Sequence, residues 1–441
     1  MLGLTTTLRQ ITKIPMPTDS SGNIFLPEIF RLRTSQCLVL GKYSTAKAYG
    51  LEILVLHLQS IFLGLVDSNI NLWFLMGIII RLAMRMGYHR DSKIHSSISP
   101  FEGEMRRRLW AIIYQLDVVM SFQLGLPSMI PSDYCDTEAP RNLNFSDFSQ
   151  DTDVLPPSRP LSDHTPVLFS IVKGRIMGVF KKIVAHTQSL SPPPLETTIM
   201  LDIEMRDTYN NLPSNFKMIP VNRSFMDVSS IIMERCYIEL LYLKGIVVLH
   251  RRFINTDTSN LICANFRQTC LNAAMDILSR QADLHQASQP GGQLYEDRWM
   301  VTSLMVHDFL LAAMVVCLEL TVHMRSTAGS STEPRNAGFA KQFEALQTSH
   351  MIWNSRNSES KEAHTAAQVL GLMIQTVKDD SVNKSPGSSF AHTNDMLFED
   401  CNLPYAKPVT EMIDGSEILN WVCTYLELYL YENTISLTFY R

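Results

Sequence analysis

Apolar residues recur along this chain at the spacing of helices, and the two-residue alternation of strands is nowhere sustained. Between Ala46 and Val66 the apolar positions Leu51, Leu54, Val55, Leu58, Phe62 and Leu65 fall on one helical face. From Leu72 to Met86 nearly every position is apolar, which predicts a central helix buried all round. Gly87 follows, where a left-handed terminating residue is expected. The next helix has a marked start: Ser99 as N-cap, Pro100 at the first helical position and Glu102 completing a capping box. Met105, Leu109, Ile112 and Leu116 then form one apolar stripe, and Glu102–Arg106 and Glu104–Arg108 are i,i+4 pairs in the favourable order. All these signals agree on a helix to about Phe122.

Breakers organise the rest. Residues 1–27 hold Pro15, Pro17 and Gly22 and read as an irregular entry. A helical pattern begins at Glu28. Residues 125–166 are rich in Pro, Asn and Asp and read as one long irregular loop. Helices are then expected over Val167–Ser189, Leu195–Asn210, Met226–Ile254, Leu261–Ala287, Tyr295–Met324, Phe339–Asn354 and Ser360–Lys378. Past Lys378 the run DDSVNKSPGSSFAHTND reads as a flexible link to a Tyr- and Leu-rich tail. The fold class is therefore all-α: one large multi-helix domain over 28–378, with residues 379–441 as linker and tail.

Composition narrows the function. The 441 residues are 46% hydrophobic and 18% charged, as in a folded chain with a large core. The formal charge is -5, without the basic surplus of a free-standing nucleic-acid binder. Eight cysteines are scattered with no CxxC pair, so zinc fingers, zinc ribbons and thioredoxin-type motifs find no ligands. The apolar runs Ile70–Ile80, Ile246–Leu249 and Phe309–Leu318 are broken by charge well short of the ~20 residues that span a bilayer, and no membrane partner is expected.

The block from Gly77 to Phe148 strings together a buried helix, a polar turn, a capped Arg-rich helix and an acidic Pro/Asn loop. That order resembles the fungal-specific transcription factor domain, the helical middle region of fungal binuclear zinc-cluster regulators. Phe30–Leu40 (FRLRTSQCLVL), Leu249–Phe253 (LHRRF), Arg267–Leu278 (RQTCLNAAMDIL) and Val306–Leu320 (VHDFLLAAMVVCLEL) also look like stretches of that family. The resemblance covers residues 28 to 375. It implies a regulatory region acting in the nucleus on RNA polymerase II transcription. It implies two states that mask or expose an activating surface. The partners it implies are the transcription machinery or a related regulator, with a possible small-molecule effector. Family members bind zinc through an N-terminal six-cysteine cluster. This sequence has no CxxC pair for one, so no cofactor is expected here and DNA is reached only indirectly or through another module. The alternatives are a headless partner that modulates a related zinc-cluster regulator, and an enzyme on a helical fold.

From Arg81 to Arg108 there are seven Lys/Arg against three Asp/Glu, whereas Asp133 to Asp153 holds six acids and one Arg. This complementarity predicts an internal ion-pair network in which Arg106, Arg107 and Arg108 meet an acidic loop carrying Asp133 and Asp136. A phosphate-binding face and a solvated surface are the competing readings; the family resemblance favours the structural one. Asp133 and Asp136 beside Cys135 are a weak metal signal, and turn or capping carboxylates suit them better. His89-Arg90-Asp91 matches a kinase tripeptide by chance, since Ser96 stands where Asn is required. His307-Asp308 lies in an apolar helix, where a bonded core histidine outweighs acid–base chemistry. No GxSxG, P-loop or HExxH occurs. No catalytic, cofactor-binding or metal residue is assigned, and the chain is not expected to be an enzyme.

Overall fold

The computed structural model describes residues 1–12, 14–18, 24–63, 71–189, 191, 194–254, 261–297, 306–327, 337–355 and 361–382. Twelve α-helices run through them: α1 (Leu2–Ile11), α2 (Pro27–Leu40), α3 (Gly50–Leu63), α4 (Asn71–Arg85), α5 (Pro100–Gln123), α6 (Leu168–Thr187), α7 (Leu195–Asn210), α8 (Ser229–His250), α9 (Leu261–Ala287), α10 (Val306–Thr327), α11 (Ala337–Ser355) and α12 (Lys361–Val382). The β pairing among the described residues is a single bridge, Thr18 to Ile24. The all-α expectation holds. No helix among the described residues is long and apolar enough to cross a membrane.

Helices pack chiefly on near neighbours in sequence. α1 lies on α2 and α3, α3 on α4, α4 on α5, α5 on α6, and α6 on α7 and α8. From α8 the packing passes to α9, then to α10 and α11, and α11 meets α12. One continuous apolar core joins all these layers.

The central helix is α8, not α4. Between Ile232 and His250 only Glu239 and Tyr242 escape full burial. α4 packs chiefly against α3 and α5 and leaves Phe74 59% exposed and Ile78 36% exposed. An apolar sequence on every side permits burial on every side; the number of neighbours decides whether it happens.

The entry segment is also corrected. Residues 1–27 contain α1, although Thr5, Thr6 and Thr7 disfavour helix by their branching. Their hydroxyls donate back to carbonyls one turn earlier, Thr6 to Leu2 at 2.8 Å and Thr7 to Gly3 at 2.7 Å. Leu4 is buried, and Arg31 of α2 donates to the Thr7 hydroxyl at 2.9 Å. Tertiary contact outweighs local preference here.

Caps follow the sequence closely. Gly87 has φ +78, and Gly87 N–H and Tyr88 N–H donate to the carbonyls of Met84 and Ala83 at 3.0 Å each, a Schellman ending for α4. Ser99 Oγ accepts from Glu102 N–H at 3.2 Å. The reciprocal half of the capping box does not form, because the Glu102 carboxylate is taken by Arg106. α8 begins at Ser229 rather than Met226 and passes at His250 into a 3-10 turn, Arg251–Phe253. α10 begins at Val306, and the earlier part of its expected span, residues 298–305, lies outside the described residues. α12 continues to Val382, beyond the expected boundary at 378. The remaining link and tail, 383–441, lie outside the described residues.

Candidate functional site

The first turns of α5 carry the arginines, and the chain before and after α5 wraps around them. Arg107 Nε and Nη2 donate to Asp91 Oδ2 at 2.9 Å and Oδ1 at 2.6 Å, and both side chains are buried (4% and 7% exposed). Asp91 also accepts from Lys93 N–H and Glu138 N–H, each at 3.0 Å. Burial alone would push the Asp91 carboxyl upward. The Arg107 guanidinium and the two amides outweigh it and hold the group well below the usual carboxylate range. Asp91 is thus the hub of a clasp that ties α5, the turn after α4 and the loop at Glu138.

Arg108 works on the opposite side. It donates to Glu104 Oε1 at 3.0 Å and to the Leu143 carbonyl at 2.9 Å, and its guanidinium lies 4.9 Å and 5.0 Å from the ring centres of Phe145 and Phe148. Glu104 is fully buried and also accepts from Arg141 N–H at 3.2 Å. Burial raises its pKa, against the pull of Arg108 and Arg141 N–H. Arg106 faces outward, donating to Glu102 at 2.8 Å and to the Met86 carbonyl at 3.2 Å.

The structure forms the Glu102–Arg106 and Glu104–Arg108 pairs that the spacing suggested and brings Arg107 within 3.7 Å of Glu138 in the acidic loop, but among the described residues neither Asp133 nor Asp136 pairs with the three arginines. Asp136 accepts from Arg90 Nε at 3.0 Å and from Asp91 N–H at 2.8 Å, one step removed from Arg107. Asp133 is exposed on the turn Ser132–Tyr134 and forms no ion pair among the described residues. The guanidinium groups of Arg107 and Arg108 face buried partners within the chain, not a phosphate-sized opening. Asp91, Glu104 and Glu138 are the acids that meet Arg107 and Arg108. The i,i+4 spacing of Glu104 and Arg108 pointed to one of them; Asp91 reaches Arg107 only through the fold.

The long loop is tied down at several points. Asp117, fully buried on α5, accepts from Met129 N–H at 3.0 Å, Ile130 N–H at 3.1 Å and Ser128 Oγ at 2.5 Å. Asn142 Nδ2 donates to the carbonyls of Pro160 and Asp163 at 2.9 Å and 3.1 Å, and its Oδ1 accepts from Thr165. Arg141 donates to the Leu155 and Pro156 carbonyls. Irregular backbone is satisfied here by side chains, as burial requires.

A second charged group lies deep in the bundle; sequence reasoning singled out Asp308 beside His307 but missed its partner Lys244. Lys244 of α8 meets Asp308 of α10 at 3.0 Å, both 2% exposed. Burial pulls Lys244 down to about 8, against the Asp308 charge. Lys173 of α6, also fully buried, lies 4.6 Å from the Tyr237 ring centre and is held well below its ordinary value by burial and by Lys244. Asp308 is thus engaged structurally, while its neighbour His307 is only half-buried.

Comparison with known proteins places this arrangement. Residues 28–200 match the model of the fungal specific transcription factor domain. This segment is a fungal specific transcription factor domain. The clasp, from Asp91 to Glu138, lies inside it. Beyond the domain, similarity extends over most of the chain. A Zn(2)-C6 fungal-type transcription factor, pigI, of Monascus ruber is 40% identical over 351 residues, covering 79% of this chain and 43% of its own. Transcription factor phm2 of Pyrenochaetopsis sp is 37% identical, covering 78% of this chain and 46% of its own. The Equisetin cluster transcription factor eqxF of Fusarium heterosporum is 36% identical, covering 81% and 51%. The chain thus spans about half the length of the curated relatives it matches. No solved structure matches. The zinc of a binuclear cluster does not fit the cysteines of this sequence, which form no CxxC pair.

Proposed function

We propose that this chain is the regulatory region of a fungal transcription factor acting in RNA polymerase II transcription in the nucleus. The observation that carries the reading is the similarity, over about four-fifths of the chain, to fungal transcription factors. Its role is regulatory and not catalytic, it works without a cofactor of its own, and it reaches DNA through another module or a related regulator. A helical body of this kind can act as a two-state element. An effector or partner that prefers one packing shifts the balance toward it by its differential affinity. Side chains of α5 bind the long loop, and α5 packs on α4 and α6, which supports transmission of such a shift through helix packing.

The test is a fusion of the chain to an unrelated DNA-binding domain, read on a reporter in a fungal host. A change in reporter output of several-fold over the DNA-binding domain alone, in either direction, is the expected result. Output identical to that of the DNA-binding domain alone, at equal protein level, overturns the reading.

A further inference from the structure

Helix α6 carries two interior glycines one turn apart, and protein packing accounts for only one. A Cβ on Gly174 would stand 3.2 Å from Gln115 Nε2, which donates to the Ser170 carbonyl. A Cβ on Gly178 would meet nothing within 4 Å. Glycine inside a helix costs stability relative to alanine, and at 178 no neighbouring atom uses the room it leaves.

That room is the floor of a cleft of about 570 Å³ between α6, α7 and the turn at Ser132. The volume is in the range of small-molecule sites. Its rim is cationic: Arg175, Lys181 and Lys182 against one carboxylate, Glu204. Lys181 is committed, donating to the Ile130 carbonyl at 2.5 Å and lying 5.0 Å from the Tyr114 ring centre. Lys182 shares Glu204 at 2.6 Å, with both side chains largely in solvent. Arg175 is exposed and forms no ion pair among the described residues. Positions 175, 178 and 182 follow helical spacing, so Arg175 and Lys182 bracket the open floor on one face. A second cleft of about 490 Å³ shares Glu204, Thr208 and Asn211 and adds Asp207 together with Met200 and Ile203, the last two exposed by 68% and 52%. One end of the surface is therefore cationic, and the other sets exposed apolar side chains beside two carboxylates, Glu204 and Asp207.

We propose that this cleft binds a small amphipathic anion, a carboxylate or sulfonate on an apolar body. The head lies between Arg175 and Lys182, and the body covers Gly178 and runs toward Met200 and Ile203. This deepens the effector reading above and rests on it for its biological meaning. The binding itself is measured without transcription, so its failure leaves the reporter result standing.

The probe is 8-anilino-1-naphthalenesulfonate, titrated by fluorescence into the full chain, with neutral N-phenyl-1-naphthylamine as the uncharged control. The wild type should bind the sulfonate saturably at one site, more weakly at high salt. Gly178→Leu should lower that affinity at least tenfold with the melting temperature unchanged or raised. Arg175→Gln should lower it several-fold for the sulfonate and leave the neutral dye unaffected, and Arg175→Lys should restore most of it. Wild-type affinity in folded Gly178→Leu overturns the site. Equal losses for both dyes in Arg175→Gln overturn the anionic head group. If Gly178→Leu melts early, bulkier Ala185→Leu on the same wall replaces it, with the same tenfold loss required.

Discussion

Arg107–Asp91 and Lys244–Asp308 are both buried ion pairs, yet they are built on opposite plans. Arg107 meets Asp91 through two hydrogen bonds, and two backbone amides complete the carboxylate. Lys244 presents a single ammonium to Asp308 among aromatic rings, 5.7 Å from Phe122 and 5.5 Å from Phe180. The fork of arginine fixes geometry, whereas lysine is a point charge whose protonation gives way under burial. Asp91 is accordingly held below its ordinary pKa, and Lys244 is drawn down to about 8. One pair is a joint between chain segments; the other is a titratable group inside the bundle.

The contrast breaks most sharply at Asp308. Asp308→Ala leaves the Lys244 charge inside the core, and urea unfolding should show a loss of about 3–5 kcal/mol. The double change Lys244→Met with Asp308→Leu should recover most of it, since an apolar pair of similar volume suits the site. Arg107→Leu should cost about 2–3 kcal/mol. Hydrogen exchange should localise that damage to the amides of Lys93 and Glu138, which Asp91 no longer holds in place. Equal exchange in wild type and variant would show that the clasp does not order the loop.

Titration separates the two plans further. Lys244 is charged in both folded and unfolded chains below its folded value of about 8. Between there and the ordinary lysine value near ~10.4, the unfolded chain binds more protons, so stability contributed by this group rises with pH. Unfolding midpoints at successive pH values from 8 to 10 should show a rise of roughly 1–2 kcal/mol that Lys244→Met diminishes. Asp91 has the same slope in a lower window: its contribution is complete above the ordinary carboxylate value of about 4 and drains away as pH falls below it. The smallest effect belongs to Lys93→Ala. Its pair with Glu138 is short, 2.6 Å, but the two side chains are 57% and 55% exposed. A change under about 0.5 kcal/mol is expected in the same assay.

How legible each region was depends on sequence distance. The α5 start at Ser99-Pro100, the stop at Gly87 and the Glu104–Arg108 pair follow from residues within one or two turns, and all could be read. The link from Arg107 to Asp91 crosses a turn, and Lys244 meets Asp308 across two helices; neither spacing announces itself. The loop misled for another reason. Pro, Asn and Asp mark residues 125–166 as irregular, which they are, but composition does not reveal that Asp117, Asn142 and Arg141 bind the backbone from within. Thr5 to Thr7 misled in the opposite direction, since packing on α2 and α3 made a helix from poor formers.

Asn142 is one of the ties that hold that span. Its amide nitrogen faces carbonyl oxygens of Pro160 and Asp163 while its oxygen receives Thr165. Exchanging that nitrogen for oxygen, as in Asn142→Asp, keeps the size and shape of the side chain but sets lone pairs against lone pairs. The tie between Asn142 and residues 160–165 thus rests on the polarity of one atom, and a change too small to alter packing would undo it while leaving the ties made by Asp117 and Arg141 in place.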